Sequence, residues 1–240
     1  MHDGIAALSE NLGAKIRLLI VDDQEIVCQS IRRLFSSPLF SIQTAESLER
    51  AKELIRRSSE PWHCWIVDVA LEHKNAGLLL LSEHREFPFA VMLSGLGSMS
   101  MASQAMQAGA IAVFDKDPHS MQSLYELVCS VSALGFLLKG KTTKYLATFQ
   151  LLDQHPIDTP DAWAQHACIS VRQLERICAL HSPLTPRLFR PLFYALRYVL
   201  LLGSHPHPQE WHFRISRAFH EKNLSLASRN LHIYREAGIF

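Results

Sequence analysis

Residues 16–23 read IRLLIVDD, a nearly continuous apolar run, broken only by Arg17, that stops at two adjacent carboxylates, Asp22 and Asp23. A run of this kind over Ile16–Val21 predicts a strand buried on both faces, since a strand with one wet face would alternate apolar with polar residues. The signature returns downstream. Trp62–Val67 ends at Asp68, Phe89–Leu93 ends at Ser94, and Ala110–Phe114 runs toward Lys116, while Phe40–Thr44 supplies a shorter strand. Between these runs lie helical patterns at Gln24–Phe35, Ser47–Arg57, Ala76–Phe87, Met99–Ala108 and His119–Leu138. Ser47 is a natural N-cap, a Gly-Leu-Gly turn at 95–97 precedes Met99, and Gly109 stops the helix that Met99 opens. Five β-α units in succession predict a doubly wound α/β fold around five parallel strands. Sites in such sheets form beyond the carboxyl ends of the strands, where Asp22, Asp23, Asp68, Ser94 and Lys116 all fall.

Three carboxylates at neighbouring strand ends make a hard, oxygen-rich site suited to Mg²⁺. A lysine beside them can offset the negative charge or hold a phosphoryl oxygen, and the Ser94 hydroxyl can hydrogen-bond another. Such parts support phosphoryl transfer onto a carboxylate. Taken alone, Asp22-Asp23 could equally cap the helix that follows. The occurrence of every element at a strand end favours the site.

The chain has 240 residues with a net charge of +1, a length that suits one large domain or two ordinary ones. Five cysteines without a C-x-x-C pair imply neither a disulfide framework nor a zinc site, and a reducing cytoplasm is the simplest compartment. No secretory signal or membrane span is expected, because no apolar run approaches ~18 residues. The charge is unevenly placed. Through Phe136 there are 11 Lys/Arg against 16 Asp/Glu, and from Leu137 onward 13 against 7, with eight histidines besides. The basic half is the one to test for nucleic acid.

That half shows only helical patterns, at 145–152, 160–167, 170–180, 186–202, 210–219 and 226–237, after a polar break at Lys139–Lys144 (KGKTTK). Thr159-Pro160-Asp161 opens one helix and Ser170 caps the next, with Leu174, Ile177 and Cys178 on one face and Arg172, Gln173 and Arg176 away from it. A short helix, a tight turn and a second helix displaying Arg and Gln describe a helix–turn–helix reader of double-stranded DNA. An ordinary αα-hairpin with a solvated face fits the pattern equally well. The histidines show no metal-ligand spacing, and His205 and His207 flank Pro206 in a loop.

The motifs LLIVDDQ, WIVDVAL, VMLSG and QAGAIAVFDKD make residues 15–138 resemble the receiver domain of two-component response regulators. The resemblance implies that Asp68 is the phosphoacceptor and that Asp22, Asp23, Asp68 and the Ala70 carbonyl hold Mg²⁺. It further implies that Ser94 and Lys116 sense the phosphoryl group, that a sensor histidine kinase is the donor, and that a homodimer through the receiver is the common arrangement. Three departures stand out. Val113 occupies a position usually aromatic, Leu71-Glu72 replaces a customary Met-Pro, and the loop from Asp68 to Gly77 is one residue longer than usual.

The stretch ISVRQLERICALHSPLTPRLFRPLFYALRYVLLL resembles the first helix–turn–helix and linker helix of AraC-type regulators. A second unit would then turn at Lys222-Asn223 and present Arg229, Asn230 and His232. The domains expected are an N-terminal extension (1–14), a receiver (15–138), a linker (139–144) and an all-α helix–turn–helix domain (145–240). The leading reading is a non-enzymatic transcriptional response regulator in the cytoplasm. A signalling adaptor whose helical half binds protein is the alternative. A magnesium-dependent phosphatase would need a further catalytic acid that the sequence does not place beside the carboxylates.

Overall fold

Five strands form at the apolar runs: β1 (Ile16–Val21), β2 (Phe40–Ala45), β3 (Cys64–Asp68), β4 (Ala90–Ser94) and β5 (Ala112–Asp115). The computed structural model describes residues 2–12, 16–72, 75–87, 89–95, 99–140, 145–203 and 216–240. All strand pairs are parallel, in the order β2-β1-β3-β4-β5. Every residue of β3 and β4 is buried, which is why the sequence lacks alternation there, whereas the edge strands β2 and β5 are only partly covered. The order reverses at β1 and β3, the place where doubly wound sheets open a crevice at their carboxyl end.

The sheet is flanked by α2 (Glu25–Leu34), α3 (Leu48–Arg57), α4 (Ala76–Glu83), α5 (Met99–Ala108) and α6 (Pro118–Leu137). Ser47 caps α3 by accepting from the Arg50 N–H (3.1 Å). Asp117 caps α6 by accepting from the N–H groups of His119 and Ser120, with Pro118 at the first helical position. Helix α4 ends at Glu83, short of the expected Phe87. The chain turns at His84, which lets the Phe87 ring stack on Trp65 at 4.2 Å between centroids. One side of the sheet is packed by Trp65, Val67, Met92, Leu80 and Ala105, with Val113 against them.

The remaining helices are α1 (His2–Asn11), α7 (Leu146–Gln154), α8 (Pro160–His166), α9 (Val171–His181), α10 (Pro186–Gly203), α11 (Arg217–Arg229) and α12 (Leu231–Glu236). They form a second compact unit, residues 1–15 with 143–240, distinct from the sheet unit at 16–142. Its centre is α10, buried continuously from Phe189 to Leu201. Within the stretch read as an N-terminal extension, α1 packs on α10 and α11. Leu8 and Leu12 are buried, and Arg235 Nε donates to Asn11 Oδ1 at 2.6 Å. The helical unit is therefore built from both ends of the chain, with the sheet unit inserted between them. Leu8→Ala is expected to cost the helical unit about 2–3 kcal/mol, the loss typical of a buried leucine. The check is faster hydrogen exchange in α10 and α11 with β1 and β3 unaffected.

The second helix–turn–helix unit does not form as expected. Helix α11 runs straight through Lys222-Asn223, the residues read as its turn. Asn223 is buried inside that helix, where its Oδ1 accepts from Arg190 Nη1 (2.9 Å) and its Nδ2 donates to the Phe219 carbonyl (2.8 Å). With both ends of the amide satisfied, nothing at this point breaks the helix. Residues 96–97 of the Gly-Leu-Gly turn, 141–144 of the polar break, 210–215 of the expected 210–219 helix, and His205 with His207 lie outside the described residues.

Candidate functional site

The strand register brings the expected site residues together. Val21 pairs with Val67, Asp68 with Leu93 and Ser94 with Asp115, so the strands end at one level and Asp22, Asp68 and Lys116 converge there. Ligand-capable oxygens of Asp22, Asp23 and Asp68 all lie within 4.8 Å of one another. Lys116 Nζ sits 2.8 Å from Asp22 Oδ2 and 2.9 Å from Asp68 Oδ2. Its backbone N–H donates to the Ser94 carbonyl at 2.9 Å, fixing the β5–α6 turn against the end of β4. Asp22, Asp68 and Ser94 are buried, while Asp23 and Ala70 are exposed at the mouth.

Hydrogen bonds hold each carboxylate differently. Asp22 Oδ1 accepts from the Gln24 N–H (3.0 Å), so the helix-capping role and the site role coexist in one residue. Asp68 Oδ1 accepts from the Ala70 N–H (3.3 Å), and Asp23 Oδ2 from the Glu72 N–H (3.1 Å). Burial raises the Asp22 carboxyl above its ordinary pKa, against the opposing pull of the Lys116 hydrogen bond. Burial alone would lower Lys116, but its hydrogen bonds to Asp22 and Asp68 outweigh that and hold the ammonium above its usual value. The lysine thus stays charged and neutralises part of a carboxylate excess that would otherwise repel itself. Three oxygen donors clustered this closely fit a hard divalent cation such as Mg²⁺.

Two residues that shape the site were not among the expected site residues. Gly77, in the first turn of α4, packs against the end of β3, and a Cβ there would lie 1.9 Å from the Asp68 carbonyl oxygen. Only glycine allows this approach. Gly77→Ala is expected to shift the β3–α4 junction at a cost of about 1–3 kcal/mol, seen as a lower urea midpoint together with weaker Mg²⁺ binding. Glu72 is the other. It has a positive φ of 50°, and its carboxylate accepts from the Leu48 N–H at the start of α3 (2.8 Å).

This strand order, with the acidic cluster and lysine at its carboxyl end, defines a flavodoxin-like receiver fold. Residues 18–128, which lie within the sheet unit, match the response regulator receiver domain family. Similar solved structures include a response regulator receiver protein from Pseudoalteromonas atlantica, 24% identical, covering 48% of this chain and 95% of that one at a TM-score of 0.43. The receiver domain of Francisella response regulator 1452 is 21% identical over 49% of this chain and 97% of its own, at 0.44. A receiver domain protein from Clostridium thermocellum is 22% identical over 51% and 98%, at 0.45. Among curated proteins none matches.

In the helical unit, α8 and α9 are joined by a tight turn in which Cys168 has a φ of 54°. Arg172, Gln173 and Arg176 are exposed on α9, as expected. Gln173 also has a structural task, since its Oε1 accepts from the Ser170 N–H (2.8 Å) and closes a capping box. Arg229 is exposed at the end of α11 and bonds back to Ser225. Asn230 lies between α11 and α12, half-buried, with Nδ2 donating to the Leu226 carbonyl (2.8 Å). His232 is exposed on α12, which at six residues is a short element. Arg190 and Arg197 point inward. Arg190 bonds to Ile157 and Asn223, and Arg197 to His220 and Asp153. Among the described residues, no helix is long and apolar enough to cross a membrane.

Proposed function

We propose that this chain is a cytoplasmic transcriptional response regulator: Asp68 accepts a phosphoryl group from a sensor histidine kinase, and the helical unit binds double-stranded DNA. The observation that carries the first half is the Lys116 ammonium, bridging Asp22 and Asp68 beside Asp23. Asp22, Asp23, Asp68 and the Ala70 carbonyl would hold Mg²⁺, whose charge, when bound, offsets that building on the phosphoryl oxygens. A carboxylate oxygen of Asp68 attacks phosphorus, the bond to the donor histidine nitrogen breaks, and that nitrogen takes up a proton. Lys116 exchanges one carboxylate contact for a phosphoryl oxygen, and the Ser94 hydroxyl donates to another. These shifts move the β4 and β5 ends together, because the Lys116 N–H is already bonded to Ser94. Dimerisation through the receiver would pass that movement to a partner copy.

For output, the exposed Arg172 and Arg176 on a helix that follows a tight turn support DNA as the partner. The capping role of Gln173 shifts weight onto the two arginines. The test uses full-length protein with Mg²⁺ and acetyl phosphate. One phosphoryl group per chain is expected, with duplex binding that weakens linearly in log affinity against log salt as counterions return. Arg176→Ala should lower that slope by about one if it meets a phosphate. A helical unit that binds no duplex at low salt, with or without phosphorylation, would overturn the DNA half and leave the protein-binding adaptor.

A further inference from the structure

Glu72 joins the carboxylate cluster to the start of α3. Its backbone N–H donates to Asp23 Oδ2 at 3.1 Å, and its side-chain Oε2 accepts from the Leu48 N–H at 2.8 Å. Leu48 is the first residue of α3, and its N–H is one of the donors that a helix start leaves without an internal partner. Ser47 satisfies a different one, the Arg50 N–H. Glu72 thus completes the N-terminus of α3 from across the loop. It does so in a left-handed conformation, φ 50°, that a residue with a Cβ adopts only when its surroundings hold it there.

The two bonds depend on each other. At this left-handed φ the Glu72 N–H faces Asp23 while the side chain reaches Leu48, and rotation about the N–Cα bond would turn one away from the other, so the side chain fixed on α3 helps to hold the N–H in place. We infer that Glu72 is a positioning residue for Asp23: the α3 N-terminus holds Glu72, and Glu72 holds the exposed carboxylate in place for the cation. Loading of the site and closure of the α3 cap are then one equilibrium. Cation binding tightens the Leu48 N–H, and a loosened cap weakens the cation. This rests on the proposal above that Asp23 is a Mg²⁺ ligand.

The test is a calorimetric Mg²⁺ titration of the full chain, alongside hydrogen exchange at Leu48. Glu72→Ala removes the acceptor and is expected to weaken Mg²⁺ about fivefold, roughly the worth of one net hydrogen bond. Glu72→Gln keeps an oxygen for the Leu48 N–H and should stay within about twofold of wild type, which separates positioning from a plain loss of negative charge. Leu48→Pro removes the donor from the other side, at a first helical position where proline is tolerated and behind an extended Ser47. It should weaken Mg²⁺ as Glu72→Ala does, with no further loss when the two are combined. Leu48 exchange should slow on adding Mg²⁺ to wild type and to Glu72→Gln, but not to Glu72→Ala. Unchanged affinity in Glu72→Ala or Leu48→Pro, or an equal loss in Glu72→Gln, overturns the inference while leaving the Mg²⁺ site intact. Absence of Mg²⁺ binding to wild type removes the receiver chemistry itself and this inference with it.

Discussion

Asp68→Asn will take up no phosphoryl group under conditions where the wild-type chain takes up one. The substitution keeps the shape of the side chain but exchanges a carboxylate for an amide, whose oxygen is a far poorer nucleophile. The surroundings can absorb it. The amide oxygen can still accept from the Ala70 N–H, and Lys116 retains Asp22 at 2.8 Å. The charge removed comes from a cluster of three carboxylates within 4.8 Å of one another, where like charges oppose one another, so the fold should lose little stability. Intact mass after incubation with Mg²⁺ and acetyl phosphate reads the result, and circular dichroism confirms that the variant is folded. A phosphoryl group persisting on Asp68→Asn would move the phosphoacceptor elsewhere and sink the assignment.

The receiver half was legible because its physics is local and repetitive. Strands buried on both faces must be apolar throughout, so IRLLIV, WIVD and VMLS announced themselves, and the polar residue that ended each run marked the sheet edge where ligands bind. What was not legible depends on contacts distant in the chain. Nothing within residues 2–12 says that Leu8 will be buried on helices more than 170 positions away. Asn223 reads as a turn residue because asparagine tolerates left-handed backbone, yet Arg190 pairs with its amide and keeps it inside α11. Gln173 illustrates a competition between roles. Its spacing from Ser170 is that of a capping box as much as that of a base reader, and the capping bonds are the ones formed. Glu72 was visible only as a departure from a common Met-Pro. Its left-handed backbone and its reach to Leu48 come from the path of the loop, which no local pattern encodes.

Falling pH should destabilise the sheet unit from about pH 6.5 downward, and His63 is the reason. The imidazole lies just ahead of β3, 6% exposed, with its Nδ1 accepting from the Arg17 N–H at 2.9 Å and its ring edge-on to Phe136. Burial, aided by the nearby Arg17 charge, lowers its pKa from 6.5 to about 4. The folded state therefore keeps His63 neutral where the unfolded chain would protonate it. Below about pH 6.5 the unfolded state binds the extra proton, so stability falls with falling pH until the folded state also protonates near pH 4. Over that window the loss approaches about 3 kcal/mol. His63→Asn supplies an amide oxygen for the Arg17 N–H and has nothing to titrate. Urea unfolding of wild type and variant, followed by hydrogen exchange in β1 and β3, should therefore converge as pH drops from 7.5 to 4.5. At pH 7.5 the wild type should be the more stable, with its well-packed ring against Phe136, and at 4.5 the gap should shrink or invert by about 2–3 kcal/mol. A gap that stays constant across the range would mean that His63 carries the same proton in both states, and that the acid sensitivity of this unit lies in its carboxylates instead.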